Sequence, residues 1–513
     1  MAGCMTGEFG IIRTMKCNNT KKYIVAVSIA ALAAGACLAD AGELPEGAFA
    51  SREAKPAPPD FRTVTVDPAK TLGPIKPLNG VNNAPIRPRA YQSNSNLKAY
   101  KAARIPSART HDSVFCTGYG GPHVADISGI FPDFDKDEND PASYDFIYTD
   151  LMLDTIRMAG AEVFYRLGQS IEHGVKKYHN GPPKDYAKWA RICEHVIRHY
   201  NEGWADGFKW NIRHWEIWNE ASNNAPSNPT CWGGTTEQFY DFYEVVARHL
   251  KKCFPNLMIG GPATTGWEEW SEKFLVEMGK RKVPMDFFSW HCYMTSPEEV
   301  AARAVRMRGY MDANGYGSAK SYMTEWNYVR GWGREWAYSL SVESGSRSVK
   351  GAAFIAAFIC ACQASSDDLA TYYDARPMTA MNGLFSSVDH STLEGYYSIY
   401  AWGKLRRLGN WVKTDIQASG DEDDKEDIHA AAAVDGAGNV GLLLARYLDD
   451  DNSIHMKRVR VRVEGLSLAG AFAHVVDSHS KFTEVPLEAN DDGSADLVLE
   501  PYSVVYIAVP KGA

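Results

Sequence analysis

Residues 214–220 read His-Trp-Glu-Ile-Trp-Asn-Glu, a short, largely apolar stretch that ends in two polar side chains, Asn219 and Glu220. Such a stretch predicts a buried strand whose last residues emerge at one edge of a sheet. A second stretch of the same kind, residues 321–327, reads Ser-Tyr-Met-Thr-Glu-Trp-Asn and places Glu325 near its end. Both are typical of folds whose parallel strands carry functional residues at their carboxyl ends.

Candidate strands alternate with helical segments along most of the chain. Between the strands lie stretches with the 3.6-residue period of amphipathic helices, such as residues 186–200 and 239–250. The alternation predicts an α/β protein with a (β/α)8 barrel over residues 60–411. The rival is an open doubly wound sheet, but no GxGxxG turn follows a strand. The eight candidate strands end at Asn82, His111, Gln169, Glu220, Thr264, Tyr293, Asn327 and Asp374.

The character of the sequence changes after residue 411. Short β-branched runs alternate there with turns rich in Gly, Asp and Asn, which predicts a β-sandwich domain over residues 412–513. An alternating strand at residues 61–66 precedes the barrel, so residues 60–70 are expected to join the sandwich. The five candidate strands of this domain are residues 428–434, 440–447, 458–463, 472–476 and 503–509.

Residues 1–41 are interpreted as a signal peptide. Lysines follow Met15, an alternative start, and precede the apolar run 23–36, which is too short to span a bilayer. Small-residue cleavage signals follow, the last ending at Ala41. We therefore expect an exported protein, periplasmic or extracellular, with no membrane span. Lipid attachment at Cys37 is the minor alternative, because Ala34 replaces the usual Leu of a lipoprotein motif.

Composition restricts the ligands. The 513-residue chain has a formal net charge of −9, which opposes generic binding to nucleic acid. No HExxH motif appears, and Cys360-Ala361-Cys362 lacks CxxC spacing, so we expect neither a metal nor a cofactor. Seven cysteines follow Ala41, so a monomer keeps at least one free thiol, and pairing among the others is left open.

Two carboxylates facing each other across a barrel mouth are suited to hydrolysing a glycosidic bond. One carboxyl group protonates the leaving oxygen, and the other attacks the sugar or activates water. The alternative for any single Glu on a strand is a structural ion pair. Glu216 shares the inward direction of Glu220 but lies deeper, so it is expected to be a paired core residue.

The ordered motifs resemble the clan A retaining glycoside hydrolases, and among them family 39, which includes β-xylosidases and α-L-iduronidases. Asn219-Glu220 at strand four and Glu325 at strand seven carry the resemblance. It covers roughly residues 60–510. Four further segments support it: Leu-Asn-Gly-Val-Asn-Asn at 78–83, Arg-Thr-His-Asp at 109–112, Phe-Phe-Ser-Trp-His-Cys-Tyr at 287–293 and Thr-Glu-Trp-Asn at 324–327.

The resemblance implies a two-glutamate double displacement, with Glu220 as general acid/base and Glu325 as nucleophile. It also implies that Asn219 hydrogen-bonds the 2-hydroxyl of the sugar and that Tyr293 contacts the nucleophile. The nucleophile must be ionised while the acid is protonated, which fits a retaining mechanism.

Four more residues are candidates for substrate binding. The resemblance implies that His111 and His291 line the same pocket. Trp326 offers a flat apolar face to a sugar ring. Asp374 is a candidate partner for substrate hydroxyls, with a helix cap or an ion pair as the equal alternative.

The sequence is also compatible with two other functions. An endo-acting glycanase of the same clan would carry the same two glutamates in an open cleft. A carbohydrate-binding pseudoenzyme would not require both glutamates together with their Asn, His and Tyr neighbours. In every case the expected partner is a carbohydrate.

Overall fold

The structure is a computed structural model that describes residues 61–88, 94–112, 123–171, 176–224, 230–332, 341–377, 381–417 and 427–512. Two sheets organise this part of the chain, a closed barrel of eight strands and a sheet of nine strands. The predicted (β/α)8 barrel with a separate β domain is therefore confirmed. The predicted signal peptide lies outside the described residues.

The barrel closes in chain order. Parallel pairing runs from β2 through β9, and β9 returns to β2 where Gly80 lies opposite Thr371. A Cβ atom on Gly80 would come 2.7 Å from the carbonyl oxygen of Ala370, so only glycine allows this approach. The strands are β2 (Gly80–Asn82), β3 (Ser107–Arg109), β4 (Glu162–Leu167), β5 (His214–Ile217), β6 (Met258–Thr264), β7 (Phe287–Met294), β8 (Lys320–Tyr328) and β9 (Leu369–Tyr372).

Amphipathic helices surround the barrel, and polar side chains cap the starts of two of them. Thr235 and Gln238 form a capping box at the start of α5, and Asp185 caps α4 through the backbone N–H of Lys188. The helices are α1 (Leu97–Ala103), α2 (Ile127–Ile130), α3 (Ile147–Met158), α4 (Tyr186–Asn201), α5 (Thr236–Cys253), α6 (Glu268–Arg281), α7 (Pro297–Ala313), α8 (Val349–Ala364) and α9 (Glu394–Leu408).

Helix α8 is apolar on nearly every face because it packs between the barrel and the second sheet. Lys350 near its start is buried and reaches Asp451 of the second domain at 2.6 Å. Within the described ranges, no helix is both long and apolar enough to cross a bilayer.

The second domain is built on a sheet that encloses its own apolar core. Strand β1 (Phe61–Pro74) pairs antiparallel with β10 and parallel with β13. Side chains from most of the strands meet in one cluster around Leu442, Val461 and Val505. The other strands are β10 (Asn410–Gln417), β11 (Ile428–Val434), β12 (Val440–Arg446), β13 (Lys457–Val463), β14 (Phe472–Val476), β15 (Lys481–Pro486), β16 (Ala495–Leu499) and β17 (Ser503–Val509).

The sequence did not predict β10, β15 or β16. Strand β15 carries almost wholly exposed residues and lies at the edge of the sheet, so the apolar alternation that reveals a half-buried strand is absent there. The described cysteines are unpaired, and Cys116 lies outside the described residues. The free thiols are Cys193, Cys231, Cys253, Cys292, Cys360 and Cys362.

Candidate active site

A cleft of about 850 Å³ opens at the carboxyl ends of the barrel strands. Both predicted glutamates line it, Glu220 after β5 and Glu325 within β8. Its walls come from the loops after β5, β6 and β8. The residues that line it include His111, Glu220, Trp267, Tyr293, Glu325 and Trp332.

A tight turn after β5 aims Glu220 into the cleft. Trp218 and Glu220 both adopt left-handed backbone conformations, with φ of +71° and +49°, which cost energy for residues with a Cβ atom. The backbone N–H of Glu220 donates to the carbonyl of Ala263 at 2.9 Å and holds the turn against β6. Gly168 makes room for it, because a Cβ atom there would come 2.8 Å from the Cα of Trp218.

His291 links the two glutamates. Its Nδ1 lies 2.8 Å from Oε1 of Glu220 and 3.5 Å from Oε2 of Glu325. A carboxylate oxygen of each glutamate and this nitrogen lie within 4.8 Å of one another. The imidazole is fully buried, so water does not weaken these contacts. The two carboxyl groups therefore face each other and are close enough for both to contact the same bond of a bound substrate.

Glu325 is held in its ionised form. Its Oε1 accepts from Arg109 at 2.8 Å, and its Oε2 accepts from the Tyr293 hydroxyl at 2.6 Å. Burial alone would raise the pKa of Glu325, but His291, His111 and Arg109 together with the Tyr293 hydrogen bond lower it below its ordinary value. At neutral pH the side chain is an anion aimed into the cleft.

Arg109 belongs to the quoted segment 109–112, but the sequence assigned it no role in the site. Its guanidinium is fully buried on β3 and contacts Glu325, Glu216 at 2.6 Å and Asn219 at 2.9 Å. The predicted core pairing of Glu216 is thereby confirmed. An Arg two residues before the end of the candidate strand at His111, with a deep Glu on another strand, was the signal available in the sequence.

Asn219 is oriented through Arg109. Its Oδ1 accepts from Nη2 of Arg109, which leaves the Nδ2 amide pointing elsewhere. This Nδ2 is buried and has no hydrogen-bond partner within the part of the chain that the structure describes. A buried donor without a partner is costly, and a ligand hydroxyl would satisfy it.

Two predicted substrate-binding residues lie away from the cleft. Trp326 follows Glu325 on β8, so its side chain points to the opposite face, where it stacks on Phe358 of α8 at 3.6 Å. Asp374 is fully buried and accepts from Arg376 at 3.0 Å, which is the ion-pair alternative for this residue. His111, Tyr293 and the two glutamates are brought together as expected.

The cleft also contains residues outside the quoted motifs. Trp267 and Trp332 are 65% and 60% exposed, and Trp332 packs edge-on against Tyr293 with 5.2 Å between ring centroids. The Cys231 thiol lies 3.9 Å from Oε2 of Glu220. Trp267 lies three residues beyond the end of β6, so its position shortly after a strand end was the available signal.

The Glu220, His291 and Glu325 atoms are close enough together to hold a cation. The charges already present around these atoms argue against a cation there. Arg109 already places a permanent positive charge against Glu325, and His291 occupies the remaining space between the two carboxyl groups.

A closed parallel barrel with two opposed carboxyl groups at its mouth is the arrangement typical of glycoside hydrolases. The sequence profile described as "Glycosyl hydrolases family 39" matches residues 99–412. This chain belongs to glycosyl hydrolase family 39.

The matches to individual relatives cover a shorter part of this chain than the match to the family profile does. It is 32% identical over 182 residues to a β-xylosidase from Geobacillus stearothermophilus, covering 33% of this chain and 34% of the relative. It is 30% identical over 182 residues to a β-xylosidase from Caldicellulosiruptor saccharolyticus, covering 32% and 36%. The match thus spans about a third of these curated relatives.

Solved structures extend the similarity in fold. A glucosidase from Croceicoccus marinus superposes with a TM-score of 0.68 at 20% identity, over 88% of this chain and 99% of the other. A monomeric β-xylosidase from Caulobacter crescentus gives a TM-score of 0.62 at 16% identity, over 88% and 100%. At these identities the likeness concerns the fold.

Proposed function

We propose that this protein is a retaining glycoside hydrolase, with Glu325 as the nucleophile and Glu220 as the general acid/base. The observation that carries the proposal is the placement of His291 Nδ1 between the two carboxyl groups. A carboxylate oxygen of Glu220 lies within 4.8 Å of one of Glu325. Retaining enzymes hold these groups about 5–5.5 Å apart, whereas inverting enzymes leave room for a water at about 6.5–9.5 Å.

The first half of the reaction uses Glu325 as an anion. Arg109 and Tyr293 keep it ionised, and its carboxylate attacks the anomeric carbon while Glu220 donates its proton to the leaving oxygen. The glycosidic bond breaks as the glycosyl–Glu325 ester forms. In the second half, Glu220 takes a proton from water, the water oxygen attacks the anomeric carbon, and Glu325 leaves as the carboxylate.

His291 and Asn219 serve these steps in different ways. The imidazole Nδ1 faces Glu220, so it either donates to the carboxylate or accepts from the carboxylic acid as the proton moves. The free Nδ2 of Asn219 donates to a hydroxyl of the sugar next to the reacting carbon. That bond contributes most when it strengthens in the transition state.

The substrate class proposed is a β-linked sugar, with β-xylosides first. The support is the pair of curated β-xylosidases that this chain resembles over a third of their length. Trp267 and Trp332 at the rim offer apolar faces on which a leaving sugar can stack.

We also propose that residues 1–41 direct export, which N-terminal sequencing of the secreted protein would test.

The test is aryl-group release from a panel of xylosides, arabinosides, glucosides, galactosides and uronides. Wild type is compared with Glu325→Gln and with Glu269→Gln, an exposed glutamate of α6 that serves as the matched control. We expect release by wild type and Glu269→Gln and its loss in Glu325→Gln. A mechanism-based fluoroglycoside should label Glu325, as shown by peptide mass spectrometry.

Two results would contradict the proposal. Equal turnover by Glu325→Gln would remove the nucleophile assignment, and inversion of the anomeric configuration in the released sugar would remove the retaining mechanism. Release from polymeric xylan with silence on all aryl glycosides would move the assignment to an endo-acting glycanase. Binding without cleavage of every substrate would instead favour the carbohydrate-binding alternative.

A further inference from the structure

Three metal-ligating side chains meet where the outer helices α4 and α5 pack together. His249 and Cys253 come from α5 and Glu194 comes from α4. One donor atom from each lies within 4.8 Å of the other two. The side chains of Glu194 and His249 are 16% and 28% exposed and Cys253 is partly exposed, so the cluster is half-buried and open to ions from solvent.

Helix geometry brings the donors together. His249 and Cys253 are four residues apart and therefore share one face of α5. The same imidazole nitrogen, Nε2, lies 2.6 Å from Oε2 of Glu194 and 3.8 Å from Sγ of Cys253. A single nitrogen thus faces both a carboxylate and a thiol.

The distances suit a tetrahedral zinc ion. With Zn–N near 2.0 Å and Zn–S near 2.3 Å, tetrahedral angles separate the two donor atoms by about 3.5 Å. The Nε2–Sγ distance in the cluster is 3.8 Å, already close to that value. The distance between His249 Nε2 and Glu194 Oε2 must increase by less than about 1 Å for both atoms to bind one zinc ion. Rotation of the two side chains provides this increase.

The surrounding charges leave one carboxylate oxygen available. Arg198 binds Oε1 of Glu194 at 2.8 Å through Nε, while Oε2 faces His249. Such a partner behind a ligating carboxylate fixes its orientation. A thiolate and a carboxylate together would balance the two charges of the ion, with His249 neutral.

We propose that Glu194, His249 and Cys253 form a zinc site, with a water molecule as the fourth ligand. On binding, the Cys253 thiol loses its proton to solvent and its sulfur bonds to the ion, with no change of oxidation state. The site is structural. It lies at the carboxyl-terminal end of α5, which leads into the start of β6, on the side of the barrel opposite the cleft.

Cobalt is the probe, because Co²⁺ takes zinc sites and reports its ligands in its absorption. The full chain is stripped with a chelator and titrated with Co²⁺. We expect one equivalent to bind, with a thiolate-to-metal charge-transfer band in the near ultraviolet and the visible bands of a four-coordinate ion. Zn²⁺ should then bleach both sets of bands and raise the thermal unfolding midpoint.

Variants separate this cluster from other thiols. Cys253→Ser and His249→Asn should each abolish the charge-transfer band and reduce Zn²⁺ affinity at least tenfold. Cys360→Ala, which removes a free thiol from α8, should keep both the band and the affinity. Circular dichroism of each variant without metal checks that it is folded.

Two outcomes would overturn the site. A wild-type protein that shows no thiolate band with Co²⁺ does not form it, and a band that persists in folded Cys253→Ser places the metal on another cysteine. Neither readout depends on glycoside hydrolysis, so failure here leaves the proposed function untouched.

Discussion

The guanidinium of Arg109 donates from Nη1 to Oε1 of Glu325 at 2.8 Å, although the two residues stand 216 positions apart in the chain. Both groups are buried, so the contact acts in a medium where charge interactions are strong. Barrel closure creates it, since β9 between β8 and β2 brings the last strands round to the first. The anionic state of the proposed nucleophile depends on this contact.

Arg109→Lys should lower kcat/KM by about 100-fold, because a single ammonium cannot serve Glu325, Glu216 and Asn219 together. The variant should also unfold at a lower temperature, since it weakens the buried pairing of Glu216. The pH profile distinguishes a positioning role from lost stability, because only the former moves the acidic limb. Arg281→Lys on α6 is the control and should match wild type in kcat/KM. An unchanged acidic limb in folded Arg109→Lys would contradict the electrostatic role.

Tyr293→Phe removes one hydrogen bond to ionised Glu325 and keeps the ring that packs against Trp332. The pKa of Glu325 should rise, so the nucleophile becomes protonated at a higher pH than in wild type. We expect the acidic limb of kcat/KM to move upward by about one pH unit. Measurement of kcat/KM across the acidic range with one aryl glycoside tests this. A limb that stays in place would show that the hydroxyl does not affect the ionisation.

The same lowered pKa of Glu325 makes a prediction for stability. Its folded-state pKa lies below the unfolded value, so the ionised group stabilises the protein above the unfolded pKa, and this contribution is lost as the pH falls through the folded pKa. Tyr293→Phe should therefore be less stable than wild type at neutral pH. The gap in unfolding free energy should narrow as the medium becomes acidic. Urea unfolding at several pH values measures it, and a gap of constant size would speak against this linkage.

Glu220→Ala should slow substrates with poor leaving groups by about 10²–10⁴-fold and should spare the first step for activated aryl glycosides, which need little protonation. The glycosyl-enzyme should then accumulate, and azide should release it as a glycosyl azide. Stopped-flow detection of the aryl burst and product analysis by NMR check both. A folded variant with neither burst nor azide rescue would remove the acid/base role.

Trp326→Ala tests whether this residue belongs to the fold or to the substrate. Its ring is fully buried against Phe358, so truncation should cost about 3–5 kcal/mol in unfolding free energy. The KM for an aryl glycoside, measured on folded protein at low temperature, should stay within about threefold of wild type. A large rise in KM with little loss of stability would restore its assignment to substrate binding.

Trp267→Ala provides the opposite case at the rim of the cleft. The residue is 65% exposed, so its removal should change the unfolding free energy by no more than about 0.5 kcal/mol. Loss of a stacking face should raise KM for a disaccharide by about 2- to 10-fold. A shared increase for substrates of every length, or none, would exclude a role on the leaving-group side.

Much of the architecture could be predicted because it rests on local signals. Alternating apolar strands, 3.6-residue helical faces and turn residues fall close to the observed bounds, as at β11, β14 and β17. The two glutamates could be predicted for the same reason, since each lies near the carboxyl end of a strand of recognisable pattern. Edge strand β15 was missed because it is exposed at the edge of the sheet and its residues lack regular apolar alternation.

What each polar side chain contacts was decided by tertiary structure. The sequence by itself determined the succession of barrel strands and helices along the chain, the helix faces and the two carboxylates near strand ends, because these depend on residues close together in the chain. Only barrel closure brought Arg109 to Glu325 and set His291 between the carboxyl groups. Such contacts depend on the direction of side chains across a closed ring of strands, which no local pattern of residues contains.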